Sequence, residues 1–408
     1  MDSHRKAASD TLPGPRSLAE RSPFLTAFAL SLGAAISLGL TRFSYALLLP
    51  PMRADLGWSY LLSGSMNTGN ALGYFLGALA TPALMRRFGA QAALVGGAVS
   101  AGLFMMLSGF VLDADLLIGQ RVLAGIASAF IFISGGLLAA RLGLLHPERS
   151  SLLLGIYYGG TGLGILASAL LVPLVLDAAY AQEVAHGWQW AWIALGALCL
   201  LGTLAMASPA RQVDGAASTA NGQGGFRPKE FAFGLLGYLM FGVGYIGYMT
   251  FVIAVLREQG MSAATVTLFY AVLGLAVMAS SRIWARMLDR FKGGQSMAIL
   301  NALLGVATIL PALTAAPVLM FVSGLLFGGI FLSVVASTTA LVRHNLPQHA
   351  WSSGISAFTT VFALGQIVGP SVTGWIADGP GGLQRGLVFS ALALFAGALL
   401  ASRQRALS

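Results

Sequence analysis

Apolar residues run in long, unbroken stretches along this chain, and polar residues collect in the short gaps between them. Twelve such stretches can be marked: 24–49, 61–84, 91–112, 116–140, 150–176, 188–207, 231–256, 263–285, 295–314, 317–341, 352–377 and 386–402. Most exceed the 18 apolar residues at which a run reads as a membrane span, since about 20 helical residues cross the hydrocarbon. In lipid only helices or closed barrels satisfy their own backbone groups. The runs lack the period-two alternation of barrel strands, so the pattern predicts an all-α membrane protein of twelve transmembrane helices. The one long hydrophilic interruption, 208–230 (SPARQVDGAASTANGQGGFRPKE), reads as a flexible linker between two six-helix halves, 24–207 and 231–402. Polar tails at 1–23 and 403–408 flank them.

The halves carry a repeat. Gly39/Gly242, Tyr45/Tyr248, Gly57/Gly260, Ser59/Ser262, Arg87/Arg290 and Phe88/Phe291 are each 203 residues apart. One register threading several elements predicts two pseudo-symmetric bundles. In carriers built from parallel repeats, the solute site lies between them near the bilayer midplane.

Composition agrees with a membrane solvent: 57% of residues are hydrophobic and 9% charged, against about 25% charged in soluble chains. The net charge of +9 would suit nucleic acid, but the basic residues form no stripe interleaved with aromatics, and no nucleic-acid partner is expected. Seventeen Lys and Arg fall on the side of the termini and only Arg53, Arg257 and Arg385 on the other. The positive-inside rule then places both termini in the cytoplasm; a bacterial inner membrane is the expected location. Trp58, Tyr60, Trp188, Trp190 and Trp192 fall where an outer aromatic belt is expected. The lone Cys199 excludes an intrachain disulfide and a cysteine metal cluster. No Walker-type loop is present, and GGTGLG (159–164) lies inside a membrane run with no strand before it, so no cofactor and no metal are expected.

The chemistry lies in what the apolar runs contain. Three charges fall within them, Arg42, Arg121 and Arg282, and none of the fourteen acids does. Charge inside a membrane is expensive, roughly 2.5–3.5 kcal/mol for a mid-helix arginine on insertion scales, and so marks function or a partner. Guanidinium recognises carboxylate or phosphate through paired hydrogen bonds. Arg42 and Arg121 therefore predict a small organic anion as substrate, although both lie near enough to the outer boundary to snorkel there. Arg282, one turn from the terminal end, reads as an anchor. Neutral candidates for the lining are Tyr45, Asn67, Asn70 and Tyr74 (the last three on one helical face), Tyr158, Tyr245, Tyr248 and Gln366, with Tyr157, Thr161, Tyr238, Tyr270 and Thr359 beside them. Glycines spaced by four, at 69/73/77, 160/164, 324/328 and 365/369, predict close helix crossings. Pro173 and Pro370 are candidate kinks.

GLTRFSYALLLPPM (39–52), GNALGYFLGAL (69–79), LMFGVGYIGYMTF (239–251) and LGQIVGPSVTGWIAD (364–378) resemble helices 1, 2, 7 and 11 of the YbfB-like branch of the major facilitator superfamily. RVLAGIASA (121–129), with Arg121 and Gly125, resembles that superfamily's helix-4 motif. MLDRFKGG (287–294) keeps the Asp289–Arg290 pair of its loop motif, whereas the first copy, MRRFGAQ, has no acid. The resemblance implies the major facilitator fold and secondary transport by alternating access, with Asp289, Arg290, Gly160, Gly164 and Pro370 in gating or structural roles. The expected partners are a small-molecule substrate, the lipid bilayer and a coupling proton. A proton-coupled multidrug exporter using boundary acids such as Asp55 is the alternative. An enzyme or receptor is not expected, since no span supplies a nucleophile–base pair and no soluble domain is appended.

Overall fold

Residues 18–214 and 226–407 are described in the computed structural model of the chain. Twelve long helices dominate: α1 (Pro23–Leu56), α2 (Tyr60–Phe88), α3 (Ala90–Ser108), α4 (Ala114–Leu145), α5 (Ser150–Ala181), α6 (Trp188–Asp214), α7 (Ala232–Glu258), α8 (Ala263–Ile283), α9 (Gln295–Leu313), α10 (Pro317–Asn345), α11 (Trp351–Ala377) and α12 (Gly382–Ser402). No strand occurs among the described residues. Eleven of the helices are long and apolar enough to cross a membrane. The other, α2, has the length, at about 1.5 Å per residue. Its hydropathy is lowered by Ser63, Ser65, Asn67, Thr68 and Asn70, four of which reach across to the other half of the molecule or into its centre.

The 203-residue repeat has a physical basis at the helix ends. Gly57 and Gly260 both take left-handed backbone (φ 66° and 80°), which glycine adopts without a Cβ clash. Beyond them, Trp58 N–H donates to Arg53 O and Met261 N–H to Leu256 O, the same six-residue closure twice. Ser59 then caps α2 by accepting from Leu62 N–H, and Ser262 caps α8 by accepting from Thr265 N–H. Duplicated residues thus stop one helix and start the next at equivalent places.

The glycine ladders are where backbones meet. A Cβ on Gly73 or Gly77 would strike the Val122 or Ile126 carbonyl of α4, and one on Gly160 or Gly164 the Ser31 or Ala35 carbonyl of α1. In the second half Gly328 meets Leu273 O of α8, and Gly365 and Gly369 meet Leu239 O and Val243 O of α7. Without a hydrophobic drive between helices in lipid, this proximity supplies the packing. Contacts between the halves run through α2 with α11, α5 with α8, and α1 with α7.

Two sequence expectations are revised. The linker is shorter than 208–230, because α6 continues to Asp214 with Met206, Ala210 and Val213 buried on one face, and a turn of 3-10 helix forms at Pro228–Phe231. Its middle, and most of the N-terminal tail, lie outside the described residues. Of the five aromatics assigned to an outer belt, only Trp190 is well exposed; Trp58, Tyr60, Trp188 and Trp192 are buried. Trp188 donates to Asp55 (2.5 Å) and Tyr60 to Glu258, so their polar atoms have protein partners instead of interfacial water. Pro173 and Pro370 sit within unbroken helices.

Replacing Gly73 with Leu is expected to destabilise the fold by about 1–3 kcal/mol or more through overpacking. Gly96→Leu should be silent, since nothing lies within 4 Å of its Cβ position. Thermal melting of detergent-solubilised protein reads the difference.

Candidate functional site

At mid-depth α1 leaves the α-helical path. Ala35–Phe43 winds as a π-helix, closed by Ser44 N–H donating to Gly39 O five residues back. Gly39 permits this stretch to lie on α5, where its Cβ position would be 2.7 Å from Thr161 O. Such stretches loosen the backbone ladder and recur at functional sites. This stretch carries Arg42 and the Thr41 carbonyl, which accepts from Arg121.

Arg42 is 2% exposed. Its Nε donates to Asn70 Oδ1 (2.9 Å), its Nη1 donates to Gln366 Oε1, and its Cζ lies 4.8 Å from the Tyr74 ring centroid. Gln366 Oε1 also accepts from the Tyr245 hydroxyl (2.9 Å). The Nη2 of Arg42 is buried with no hydrogen-bond partner. Arg42, Asn70, Tyr74, Tyr245 and Gln366 therefore form one cluster joining α1 and α2 to α7 and α11.

Arg121, 3% exposed, forms a second cluster beside it. Nη1 donates to Thr41 O (2.6 Å) and Nη2 to Asn67 Oδ1 (3.0 Å), while Cζ lies 5.3 Å from the Tyr45 ring and 5.4 Å from the Trp192 ring. Asn70 Nδ2 donates back to Arg121 O (3.3 Å), and Asn67 Nδ2 to Thr250 Oγ1 of α7 (2.8 Å). Tyr45 is fixed by donating to Ser63 O (2.9 Å). Among the described residues every hydrogen-bond partner of either guanidinium is a neutral oxygen, and no carboxylate pairs with them. Neither side chain snorkels. Arg42 meets the second half directly, through Gln366, while Arg121 lies behind it within the first half, and in this low-dielectric setting an opposite charge is attracted strongly.

Other candidates lie elsewhere. Tyr248 is turned to α10, where its hydroxyl pairs with Ser323 Oγ (2.7 Å) and its ring stacks on Phe327 (4.0 Å). Three residues separate it from Tyr245, enough to send the two rings to different neighbours. Tyr158 is 39% exposed and packs on Phe132 and Tyr157, without a bond to either arginine. Tyr157 donates to Phe132 O, Tyr270 to Phe43 O, and Thr359 to its own helix. Tyr238 stacks on Phe241 and Phe362, starting a near-parallel series of rings that reaches Tyr245. Thr161 has a buried hydroxyl without a partner. Arg282 is exposed, at a groove it shares with Phe24 and Phe28. Asp289 and Arg290 are exposed and form no ion pair among the described residues.

The hydrogen bonds between the halves gather toward one end. Asp378 of the second half accepts from Tyr60 N–H (2.6 Å) and Leu61 N–H (2.9 Å), capping α2 from across the interface. Glu258 accepts from the Tyr60 hydroxyl, and the Arg53 guanidinium lies 3.8 Å over the Tyr60 ring. Thr68 bonds Ile367 O and Ser371. Among the described residues the hydrogen bonds between halves run from this far end to Arg42–Gln366, and none lies nearer the end that carries the termini. Asp378 and Glu258 were not among the sequence candidates; the acid at the start of a loop following α11 gave no cue to a partner 318 positions away. Thr250, Thr41 and Trp192 were also missed.

The family described as "Uncharacterised MFS-type transporter YbfB" matches residues 34–402. A protein of Agrobacterium vitis described as "Putative tartrate transporter" is 30% identical over 148 residues, 36% of this chain and 33% of that one; the match thus spans a third of that relative's length. Two solved folds align over nearly the whole chain. The bacterial homologue of the human lysosomal transporter Spinster, inward-facing and unoccupied, has a TM-score of 0.69 at 15% identity, covering 95% of this chain and 97% of that one. The nucleoside transporter NupG has a TM-score of 0.70 at 14% identity, covering 93% and 98%.

Removing the far-end clasp with Asp378→Ala leaves two α2 N–H groups uncapped, which is expected to cost this contact between the halves about 1 kcal/mol. Spin labels at Leu112→Cys and Ala315→Cys, in a Cys199→Ser background, should then show a longer-distance population that the parent lacks.

With its twelve-helix fold and the family match spanning almost the whole chain, this protein is a multi-pass membrane transporter and belongs to the YbfB family of the major facilitator superfamily.

Proposed function

We propose that the protein is a secondary transporter of small organic anions, working by alternating access between halves 24–207 and 231–402. One observation carries the reading: the buried Arg42 guanidinium at the interface of the halves has only neutral partners among the described residues and keeps Nη2 free, with a second buried guanidinium, Arg121, behind it. Burying a charge is tolerated when an opposite charge arrives to pair with it. An anionic substrate supplies that charge and accepts from the Arg42 fork, with Asn70, Tyr74 and Tyr245 around it. Arg121 adds field from behind while holding α1, α2 and α4 together. The tartrate-named relative supports this substrate class, tartrate being a dicarboxylate.

In this reading the far end is the outer face, the termini are cytoplasmic, and the carrier is inward-facing, since among the described residues the hydrogen bonds between the halves gather toward the outer face. Seventeen basic residues on the terminal side support that orientation. Asp289, Arg290, Gly160, Gly164 and Pro370 belong to the moving parts: Gly160 and Gly164 let α5 slide on α1, and Pro370 packs on Gly64 of α2. The multidrug alternative loses its nominated acid, since Asp55 accepts from His186 (2.6 Å) and Trp188 (2.5 Å) and is committed to holding the loop between α5 and α6.

Thermal-shift titration with tartrate, succinate, benzoate, phosphate and tetraphenylphosphonium tests the claim. At least one of the anions should stabilise the protein, and the cation should not. Arg42→Gln should weaken that binding by roughly tenfold or more, the order expected when a buried charge pair loses a partner. Stabilisation by the cation alone, or an unchanged Arg42→Gln, would reverse the assignment.

A further inference from the structure

A guanidinium can only donate, so the Gln366 atom facing Arg42 is the amide oxygen. That oxygen accepts twice, from Arg42 Nη1 and from Tyr245 Oη. The outer edge of the Arg42 fork consists of Nη1 and Nη2, and Nη2 is left without a partner although buried. A carboxylate on this edge would take both nitrogens, one per oxygen. Gln366 thus occupies half of a two-pronged anion site, and it does so from the opposite half of the protein. Its side chain is 1% exposed, and Tyr245, 2% exposed, closes over the same oxygen.

We propose that Gln366 is a built-in surrogate for the substrate's carboxylate, occupying the Arg42 site while the carrier is empty. This rests on the anion reading above and extends it. An arriving carboxylate displaces the amide, takes Nη1 and Nη2, and receives the Tyr245 hydroxyl. The amide does two things a merely structural glutamine would not. It competes with the substrate, lowering apparent affinity by the fraction of carriers in which the fork is occupied. It also gives Arg42 an acceptor when no anion is bound, so that the empty carrier can reorient without a bare buried cation. Gln366 is therefore a specificity-determining residue that sets the balance between exchange and net transport.

Two variants separate these roles. Gln366→Leu removes the acceptor and adds no charge, and Gln366→Glu supplies a permanent internal carboxylate. The probe is whichever of tartrate, succinate and benzoate binds the wild-type protein most tightly, assayed by binding and by flux in proteoliposomes. Gln366→Leu should bind the probe more tightly than wild type, the competitor being gone, and lose less counterflow exchange than net efflux. Its net efflux into anion-free buffer should fall roughly tenfold or more, because only that mode requires the empty carrier to return. Gln366→Glu should weaken probe binding by roughly tenfold or more, the fork being filled from within. The surrogate role is overturned if Gln366→Leu lowers exchange and net efflux by the same factor, or if Gln366→Glu binds like wild type. Should Gln366→Leu fail to fold, the affinity of Gln366→Glu decides alone. If none of the three carboxylates binds wild-type protein while phosphate or the cation does, the carboxylate reading falls and the surrogate falls with it; if wild type binds and the variants show no split, the carboxylate reading stands alone.

Discussion

The charge of two guanidiniums held away from water, with no carboxylate to offset it, is the constraint around which the centre of this protein is arranged. The neighbouring polar groups are placed to supply partial negative charge: Asn67 and Asn70 through their amide oxygens, Thr41 through its backbone carbonyl in the π-helical stretch, Gln366 from across the interface. The rings of Tyr45, Tyr74 and Trp192 add their negative faces. This arrangement explains why α2 is less apolar than the other eleven long helices. It carries the asparagines that orient the arginines, so its hydropathy is given up for polar partners.

Around that centre the protein repeats one plan twice. The first helix of each half ends in a left-handed glycine, and the next begins with a serine cap. Gly39 lies against Gly164, and Gly242 against Gly365, so in each half the first helix touches the fifth through backbone. The plan breaks where function would need it to. Among the described residues α1 alone contains a π-helical stretch, and the first half supplies both buried arginines; the second half answers with neutral oxygens and aromatic rings.

Much of this was legible in the chain. Long apolar runs gave the helices, four-residue glycine spacing gave four backbone crossings, and the i, i+3, i+7 spacing of Asn67, Asn70 and Tyr74 put three partners of the arginines on one face. What was not legible depended on rotation and on distance along the chain. Tyr245 and Tyr248 look alike in sequence, yet their small angular offset on α7 sends one to Gln366 and the other to Ser323. Trp188 and Trp192 resembled interfacial anchors because tryptophan favours that zone, but a hydrogen bond to Asp55 and the Arg121 guanidinium bury them. Asp378 and Glu258 carried no signal at all, since local spacing does not encode contacts between distant helices.

The clasp at the far end grips peptide groups more than side chains. Asp378 takes hold of the Tyr60 and Leu61 amides, which every residue except proline would offer equally. Sequence drift at position 61 leaves that grip intact, whereas no other side chain described at this end replaces the aspartate. The two faces of the same contact are thus unequal in evolutionary freedom: one tolerates variation, and the other is pinned to a single acidic residue.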